Sequence, residues 1–357
     1  MRLGIIGLPS AGKTTIFNAL TGASLPIGAM AGAGRVEVHT AVVDVPDERL
    51  EALSERFRPR KTTHAKVTYA DIGGLQAGAG REGLPGTLVN QLTTMDGFVH
   101  VLRAFEDPNV PHPSGNVDPA RDLQAMEAEL LLTDMLTVER RQERLVEERQ
   151  KGGRDRSVVE REMALFQHLA EHLGREEPLR AVQLSHEESV LLAGFGFLSR
   201  RPLLAVVNVA EGQIPPELGE LGPGVMALFL QGKLEMEIAQ LAPEEAKVFL
   251  REYGIQQAGR ERVIRASYDL LGLNTFFTLN EEEARAWALP RGGTALQAAD
   301  TVHSDLARGF IRAEVVRWDE LIALGGHSPA RASGKLRQEG KDYPVQDGEV
   351  VQVKFNV

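Results

Sequence analysis

Residues 7–15 read GLPSAGKTT, set between the apolar run RLGII at Arg2–Ile6 and the helix-like run IFNALTGA. No other feature restricts the fold of this chain as much. A buried strand, a glycine-rich elbow and an amphipathic helix, in that order, ask for parallel strands joined by helical crossovers: an α/β domain with helices on both faces of a mostly parallel sheet. Gly7-Leu8-Pro9-Ser10-Ala11-Gly12-Lys13-Thr14 satisfies G-x-x-x-x-G-K-[ST] at every fixed position. Each residue type has a task. The glycines let the backbone turn and bring its N–H groups against phosphate oxygens. The helix opening at Gly12 and Lys13 aims its positive end at the same anion. Lys13 can bridge β- and γ-phosphates, and the Thr14 hydroxyl is a hard oxygen ligand of the kind Mg²⁺ takes.

Such a site needs a second strand that delivers a carboxylate. The run VTYAD ends on Asp71 and is followed by Ile72-Gly73-Gly74. Asp71 is expected to hold Mg²⁺ through water, and Gly74 to offer its N–H to the γ-phosphate. Leu75 follows, where many D-x-x-G proteins carry a water-orienting Gln, and Gln76 comes next. An apolar side chain cannot position water, so hydrolysis is expected to be slow or helped from elsewhere, with Gln76 as a candidate substitute. Proteins that read guanine carry [NT]-K-x-D after a buried strand. Here Asn208-Val209-Ala210-Glu211 stands in that place. Asn208 is expected to brace the loops and face the base edge. Glu211 replaces the Asp with a longer side chain, which makes adenine at least as plausible as guanine. Gln231-Gly232-Lys233 is the expected loop over the base.

At 357 residues the chain has room for two or three domains, taking roughly 150 residues for each. Strands are expected at Arg2–Ile6, Val36–Val43, Ala65–Asp71, Gly97–Arg103, Pro202–Asn208 and Met226–Leu230. From Asp118 to Leu173 the texture changes to Glu, Arg, Gln and Leu. Val159, Met163, Phe166, Leu169 and Leu173 recur at helical spacing. Two long antiparallel helices broken at Lys151-Gly152-Gly153 are expected there, as a coiled-coil-like hairpin inserted into the α/β domain. Beyond Leu273, strand candidates at Phe276–Leu279, Ala284–Ala288, Ile311–Val316 and Val350–Phe355 surround a helix near Thr294–Ala307. The expected domains are 1–117 with 203–273, the insertion 118–202, and a small module 274–357. A net charge of −10 argues against a protein that coats nucleic acid nonspecifically, and no DNA partner is expected. No run approaches the ~20 apolar residues of a membrane span, there is no cysteine, and a cytoplasmic protein without a membrane partner is expected.

GLPSAGKTT, DIGGL, NVAE, VPDERLEAL, LLGLNTFFT, EARAW, HSDLARGFIRAEVV and GKDYPVQDGEVVQVKFNV together resemble the YchF family, the Obg-like ATPase branch of the translation-factor-class P-loop proteins. The likeness runs over essentially the whole chain. It implies a C-terminal TGS domain with a ubiquitin-like β-grasp fold, binding of ATP at least as well as GTP, slow Mg²⁺-dependent hydrolysis and association with ribosomes. It also implies that Ser10, Ala11, Gly12, Lys13, Thr14 and Thr15 contact phosphates, with Pro9 beside them in the expected site. Thr14 and Asp71 would serve Mg²⁺, and Asn208 with Glu211 would face the base, which Gln231 and Gly232 are expected to close over. The apolar residue at Leu75 is shared with that family. Ser10 stands where the family has Asn, Gly73 where it has Ala, and Arg35 where it has a Thr that senses the metal. A nucleotide-dependent binding module with negligible turnover is the alternative, motivated by Leu75 and Arg35.

Other patterns carry less. Gly78 to Gly83 spells G-x-G-x-x-G, but several residues past its strand rather than tight against it. His168 to His172 spells H-x-x-E-H within a charged helical face. Arg140, Arg141, Arg144, Arg149, Arg154 and Arg156 alternate with Glu and read as an ion-paired face or an RNA contact. Arg308, Arg312, Arg317, Arg331, Lys335 and Arg337 form a weaker candidate patch near the C-terminus.

Overall fold

The computed structural model describes residues 1–27, 38–73, 83–253, 255 and 257–356. In chain order its strands are β1 (Arg2–Ile6), β2 (Val38–Asp44), β3 (Lys61–Thr63), β4 (Lys66–Ile72), β5 (Gly97–Arg103), β6 (Leu203–Asn208), β7 (Val225–Leu230), β8 (Leu273–Leu279), β9 (Glu283–Pro290), β10 (Phe310–Arg317), β11 (Arg337–Glu339) and β12 (Glu349–Phe355). Residues 1–42 and 68–263 form one compact unit; residues 43–67 and 264–357 form a second.

The first sheet runs in the order β2-β4-β1-β5-β6-β7. The pairs β1/β4, β1/β5, β5/β6 and β6/β7 are parallel. Every residue of β5 and β6 is buried. Helices cover both faces of such a sheet, so its strands read as unbroken apolar runs rather than alternating ones. Leu88, Leu92, Phe98, Leu102, Leu123, Met126, Leu130 and Val207 fill one continuous core. β1 lies between β4 and β5, where the strand order reverses direction. In open α/β sheets the ligand crevice lies at the carboxyl ends of strands flanking that point.

The helix Pro119–Lys151 opens on Asp118, whose side chain accepts from Arg121 N–H, with Pro119 in its first turn. It ends at Gly152, which takes a φ of 69°. Asp155 then caps Arg156–Gly174. The apolar stripe closes the pair: Val138 and Leu145 pack with Val159, Phe166, Leu169 and Leu173. Arg141 and Arg154 each reach both Glu148 and Glu162. At the base of the helices buried Asp134 accepts from Leu198 N–H, Ser199 N–H and the Ser199 hydroxyl. Burial raises its carboxyl to about 6 against the pull of those three donors.

The second sheet runs β11-β10-β12-β8-β9-β3. β8 and β9 form an antiparallel hairpin. The helix Ala295–Val302 follows, opened by a capping box at Thr294 and Gln297. β12 then inserts between β8, to which it is parallel, and β10, to which it is antiparallel. This is the β-grasp order. Phe276, Leu289, Ala295, Ala298, Val315 and Val351 make its core. β3 extends the sheet by pairing with β9, Thr62 opposite Ala284. Residues 43–67 therefore lie in this unit, whereas the sequence reading places them with residues 1–117. A three-residue polar strand, KTT, shows no periodicity to reveal the pairing.

Candidate functional site

The elbow is shaped by backbone that only small residues permit. Gly7 has a φ of 145°, and a Cβ there would stand 2.4 Å from the Val101 carbonyl oxygen. Gly12 has a φ of 94°, and a Cβ there would meet Asn208 Nδ2 at 2.3 Å. Ser10 also takes a left-handed conformation, with a φ of 63°. The helix Lys13–Thr21 starts directly at Gly12, with no side-chain cap on its first N–H groups. Those donors are the orphan amides of a helix start and carry its positive dipole end. Pro9 and Thr15 are half-buried at the elbow, Ser10 is exposed and Ala11 is buried.

Lys13 Nζ donates to the carbonyls of Gly7 and Leu8, at 2.9 Å each. The ammonium is therefore folded back over the loop its own helix follows. Burial lowers its pKa to about 8, with Asp71 pulling the other way. Asp71 arrives by register: Ile5 of β1 pairs with Asp71 of β4, two residues short of Gly7. The Thr14 hydroxyl donates to Asp71 Oδ2 at 2.9 Å. Burial raises the Asp71 pKa, opposed by that hydrogen bond and by the charges of Lys13 and His39.

A hydroxyl and a carboxylate at hydrogen-bond distance form a hard, oxygen-only donor pair. Among the described residues no group of three or more His, Cys, Asp or Glu could hold a metal. A cation at Thr14 and Asp71 would take its remaining ligands from phosphate and water, as Mg²⁺ characteristically does. The residues present fit that ion.

Asn208, at the end of β6, joins two loops. Its Nδ2 donates to the Ala11 carbonyl at 3.1 Å, and its Oδ1 accepts from Gly232 N–H at 3.1 Å. Gly232 is pressed against it, since a Cβ there would lie 2.7 Å from Asn208 Oδ1 and 2.8 Å from Ile16 Cδ1. Gln231 precedes the helix Gly232–Ala239 at its cap position. Glu211 is exposed in the turn after β6. The structure thus brings Lys13, Thr14, Asp71, Asn208 and Gly232 together around the elbow. Gly74 lies outside the described residues, as do Leu75, Gln76 and Arg35 and all of the Gly78–Gly83 pattern except Gly83.

Two buried polar side chains on β5 escape the motif reading. His100 pairs across from Ile6, the last residue of β1. It is fully buried, and among the described residues neither ring nitrogen has a hydrogen-bond partner. Burial, then the charge of Lys13, lowers its pKa to about 3, so a neutral imidazole backs the elbow. Arg103 donates to the carbonyls of Phe105 and Val110 and pins the loop that leaves β5. That loop is tied again where His112 Nε2 meets Asp122 Oδ2 at 2.9 Å. The signal was present in FVHVLR, where two ionisable residues interrupt an otherwise apolar buried strand.

Comparison with known proteins agrees with this geometry. A family model described as "50S ribosome-binding GTPase" matches residues 2–141. The C-terminal domain model of the YchF GTPases, described as "Protein of unknown function (DUF933)", matches residues 273–356. The ribosome-binding ATPase YchF of Bacillus subtilis is 40% identical over 365 residues, which covers 99% of each chain. That of Escherichia coli O157:H7 is 37% identical, covering 100% of this chain and 99% of its own. The solved YchF GTPase of Schizosaccharomyces pombe superposes with a TM-score of 0.80 at 26% identity, covering 99% of this chain and 97% of its own.

Proposed function

The chain belongs to the YchF family, and from that premise we propose that it is a slow, Mg²⁺-dependent ATPase that associates with ribosomes. The observation that carries this reading is the Lys13 ammonium held over the elbow beside the Thr14–Asp71 pair. A triphosphate tail laid in the elbow would meet backbone N–H groups from Pro9 to Thr15, and Lys13 would exchange its carbonyl partners for β- and γ-phosphate oxygens. In hydrolysis water attacks the γ-phosphorus and the β–γ bridging P–O bond breaks, leaving the nucleoside diphosphate and phosphate. The preorganised amides and Lys13 stabilise charge that builds on those oxygens, and the Gly74 N–H is assigned to the γ-phosphate. Thr14, and Asp71 through water, would hold Mg²⁺, which when bound would supply neutralisation of phosphate charge. With an apolar Leu75 after the glycine of D-x-x-G, no side chain at that position orients the water, which accounts for a slow rate.

The base reading follows from Asn208 and Glu211. Asn208 spends one donor and one acceptor on the loops, so its first duty is to fix the crevice. Glu211 is assigned to the base edge, where an adenine amino group suits a carboxylate acceptor. Gln231 and Gly232 close the same crevice. The relatives are named ATPases, and GTP is the competitor to be measured. Residues 118–202 are assigned as a helical insertion and 274–357 as a TGS domain, and the ribosome association supports a cytoplasmic location.

Single-turnover hydrolysis of ATP and of GTP, with Lys13→Ala as control, tests the activity. Sedimentation with ribosomes tests the association. Equal hydrolysis by both proteins removes the enzyme from this site, and no co-sedimentation in any nucleotide state removes the partner.

A further inference from the structure

Many arginines of the described residues are neutralised by carboxylates, although Arg149, Arg161 and Arg312 are not. In the second unit Arg308 pairs with Asp305, Arg317 with Asp319, Arg331 with Glu314, Lys335 with Glu320, and Arg337 with Glu349. On the helical pair, Arg141 and Arg154 share Glu148 and Glu162, and Arg156 takes Glu160. Arg140 and Arg144 differ. They are exposed one turn apart on the helix Pro119–Lys151. Among the described residues neither has a carboxylate within ion-pair distance, and Glu147, next along that side, is held by Lys151. With Thr137, Arg141 and Phe195 they line a depression of about 220 Å³.

The floor is as unusual as the rim. Phe195 is only half-buried, although it packs edge-on to Phe166 at 4.9 Å and stacks with Phe197 at 5.8 Å. Those neighbours fix its ring without covering it. Arg141 is immobilised by its two glutamates, so one guanidinium of the depression is preorganised, while Arg140 and Arg144 keep their hydrogen-bond donors, Arg144 with the Glu147 charge nearby. Free guanidiniums seek phosphate or carboxylate oxygens. A half-buried, rigid aromatic ring among them adds a stacking platform, the combination that holds unpaired nucleotides. An acidic peptide would satisfy the arginines but leave the ring unused. The volume lies below the roughly 300–1,000 Å³ of small-molecule clefts and suits one base with its phosphate.

We propose that this depression takes an unpaired nucleotide of RNA, with the base on Phe195 and the flanking phosphates on Arg140 and Arg144. The choice of RNA over DNA rests on the ribosome-binding reading above.

The test uses the full chain and a fluorescein-labelled, single-stranded RNA of mixed sequence, about twelve nucleotides long, titrated by anisotropy across a range of salt. Arg140→Glu with Arg144→Glu should weaken binding at least about tenfold at low salt, with ATP hydrolysis and melting temperature unchanged. Arg140→Gln with Arg144→Gln should flatten the plot of log K against log salt by about 1.4, at roughly 0.7 for each phosphate released. Phe195→Leu should weaken binding roughly fivefold or more and leave the salt slope intact, which separates stacking from charge. No RNA binding by the wild type, or the same affinity and slope in the arginine variants, overturns the proposal. So does loss of ribosome sedimentation with RNA affinity unchanged, since that assigns the face to an acidic protein. Wild-type protein that binds the RNA in this way yet never sediments with ribosomes keeps this site and defeats the ribosome reading instead.

Discussion

Thr14 Oγ1 and Asp71 Oδ2 stand 2.9 Å apart although 57 residues separate them in the chain. The parallel register of β1 on β4 makes the meeting, by setting Asp71 opposite Ile5. Asp71→Asn keeps the size and one acceptor but removes the charge. It should weaken Mg²⁺ affinity in the nucleotide complex by about 10–100-fold, the range typical of residues that orient metal-bound water. Titrating Mg²⁺ into the ATP-bound variant and reading hydrolysis checks this. The nucleotide-free variant should fold at least as well, because burial already disfavours that carboxylate.

Lys13 illustrates a site held at the expense of stability. Its pKa falls from 10.5 to about 8 in the folded chain. Above 10.5 the amine is neutral in both states and costs nothing. As pH falls from 10.5 to about 8 the unfolded chain takes up a proton that the folded chain does not, so a penalty of up to roughly 3 kcal/mol builds over that window and is complete below it, at 1.36 kcal/mol for each unit. Lys13→Met should therefore stabilise the nucleotide-free protein by about 1–2 kcal/mol at pH 7, after allowing for the two lost hydrogen bonds. That advantage should vanish as pH rises from 8 towards 10.5. Urea unfolding at pH 7 and pH 10 measures it.

Phosphate binding acts on the same group. Anionic oxygens around Lys13 favour its protonated form, so ATP binding near pH 8 should take up about half a proton. Calorimetry in buffers of different ionisation enthalpy gives that number directly. Lys13→Met should abolish the uptake along with the binding.

Asn208 is the joint between the elbow and the loop at Gly232. Asn208→Ala leaves the buried Gly232 N–H and Ala11 carbonyl without this partner, at about 1–3 kcal/mol for each buried group left unmade. A loss of about 2–6 kcal/mol in stability and a tenfold or greater loss of ATP affinity should follow. Gly232→Ala crowds Asn208 Oδ1 and Ile16. In the Asn208→Ala background part of that clash is gone, so the double variant should lose less stability than the two singles summed. Gly12→Ala, whose Cβ would meet Asn208 Nδ2, should regain only part of its loss in that background, because its φ of 94° remains strained whatever stands opposite.

Asp134 gives the helical region a pH dependence of opposite sense to that of an ordinary surface carboxylate. Its pKa rises from 3.8 to about 6 on folding. Below 3.8 it is protonated in both states. Between 3.8 and 6 the unfolded chain releases the proton while the folded chain keeps it, so stability falls as pH rises, by roughly 3 kcal/mol in all. Above 6 the contribution is flat. Carbon NMR of the aspartate carboxyls should show one titration near 6 that disappears in Asp134→Asn.

The elements that position the site were legible because burial on both faces leaves a plain mark. β1, β5 and β6 are short, wholly apolar or nearly so, and flanked by turn chemistry, and Asp71 lies at the strand end that a Mg²⁺ carboxylate requires. The helical pair showed itself through its stripe and through Gly152. What stayed hidden has a common cause: it depends on tertiary pairing that no local period records. β3 and β11 are three-residue polar strands, made strands only by β9 and β10. Asn208 was readable as a bracing amide, but its two partners lie 197 and 24 residues away. His100 could have been flagged as a polar break in an apolar strand, yet only its position behind Lys13 gives the break a meaning.

The central claim is that one elbow, with its lysine, grips a triphosphate beside a magnesium ion. Isothermal titration of ATP with Mg²⁺ into the wild type and into Lys13→Ala, both first shown to be folded, tests it most directly. Saturable one-to-one binding to the wild type, lost or weakened at least a hundredfold in Lys13→Ala, is the expected result. Equal affinity in the two proteins would contradict the account, because the nucleotide would then sit somewhere other than residues 7–15.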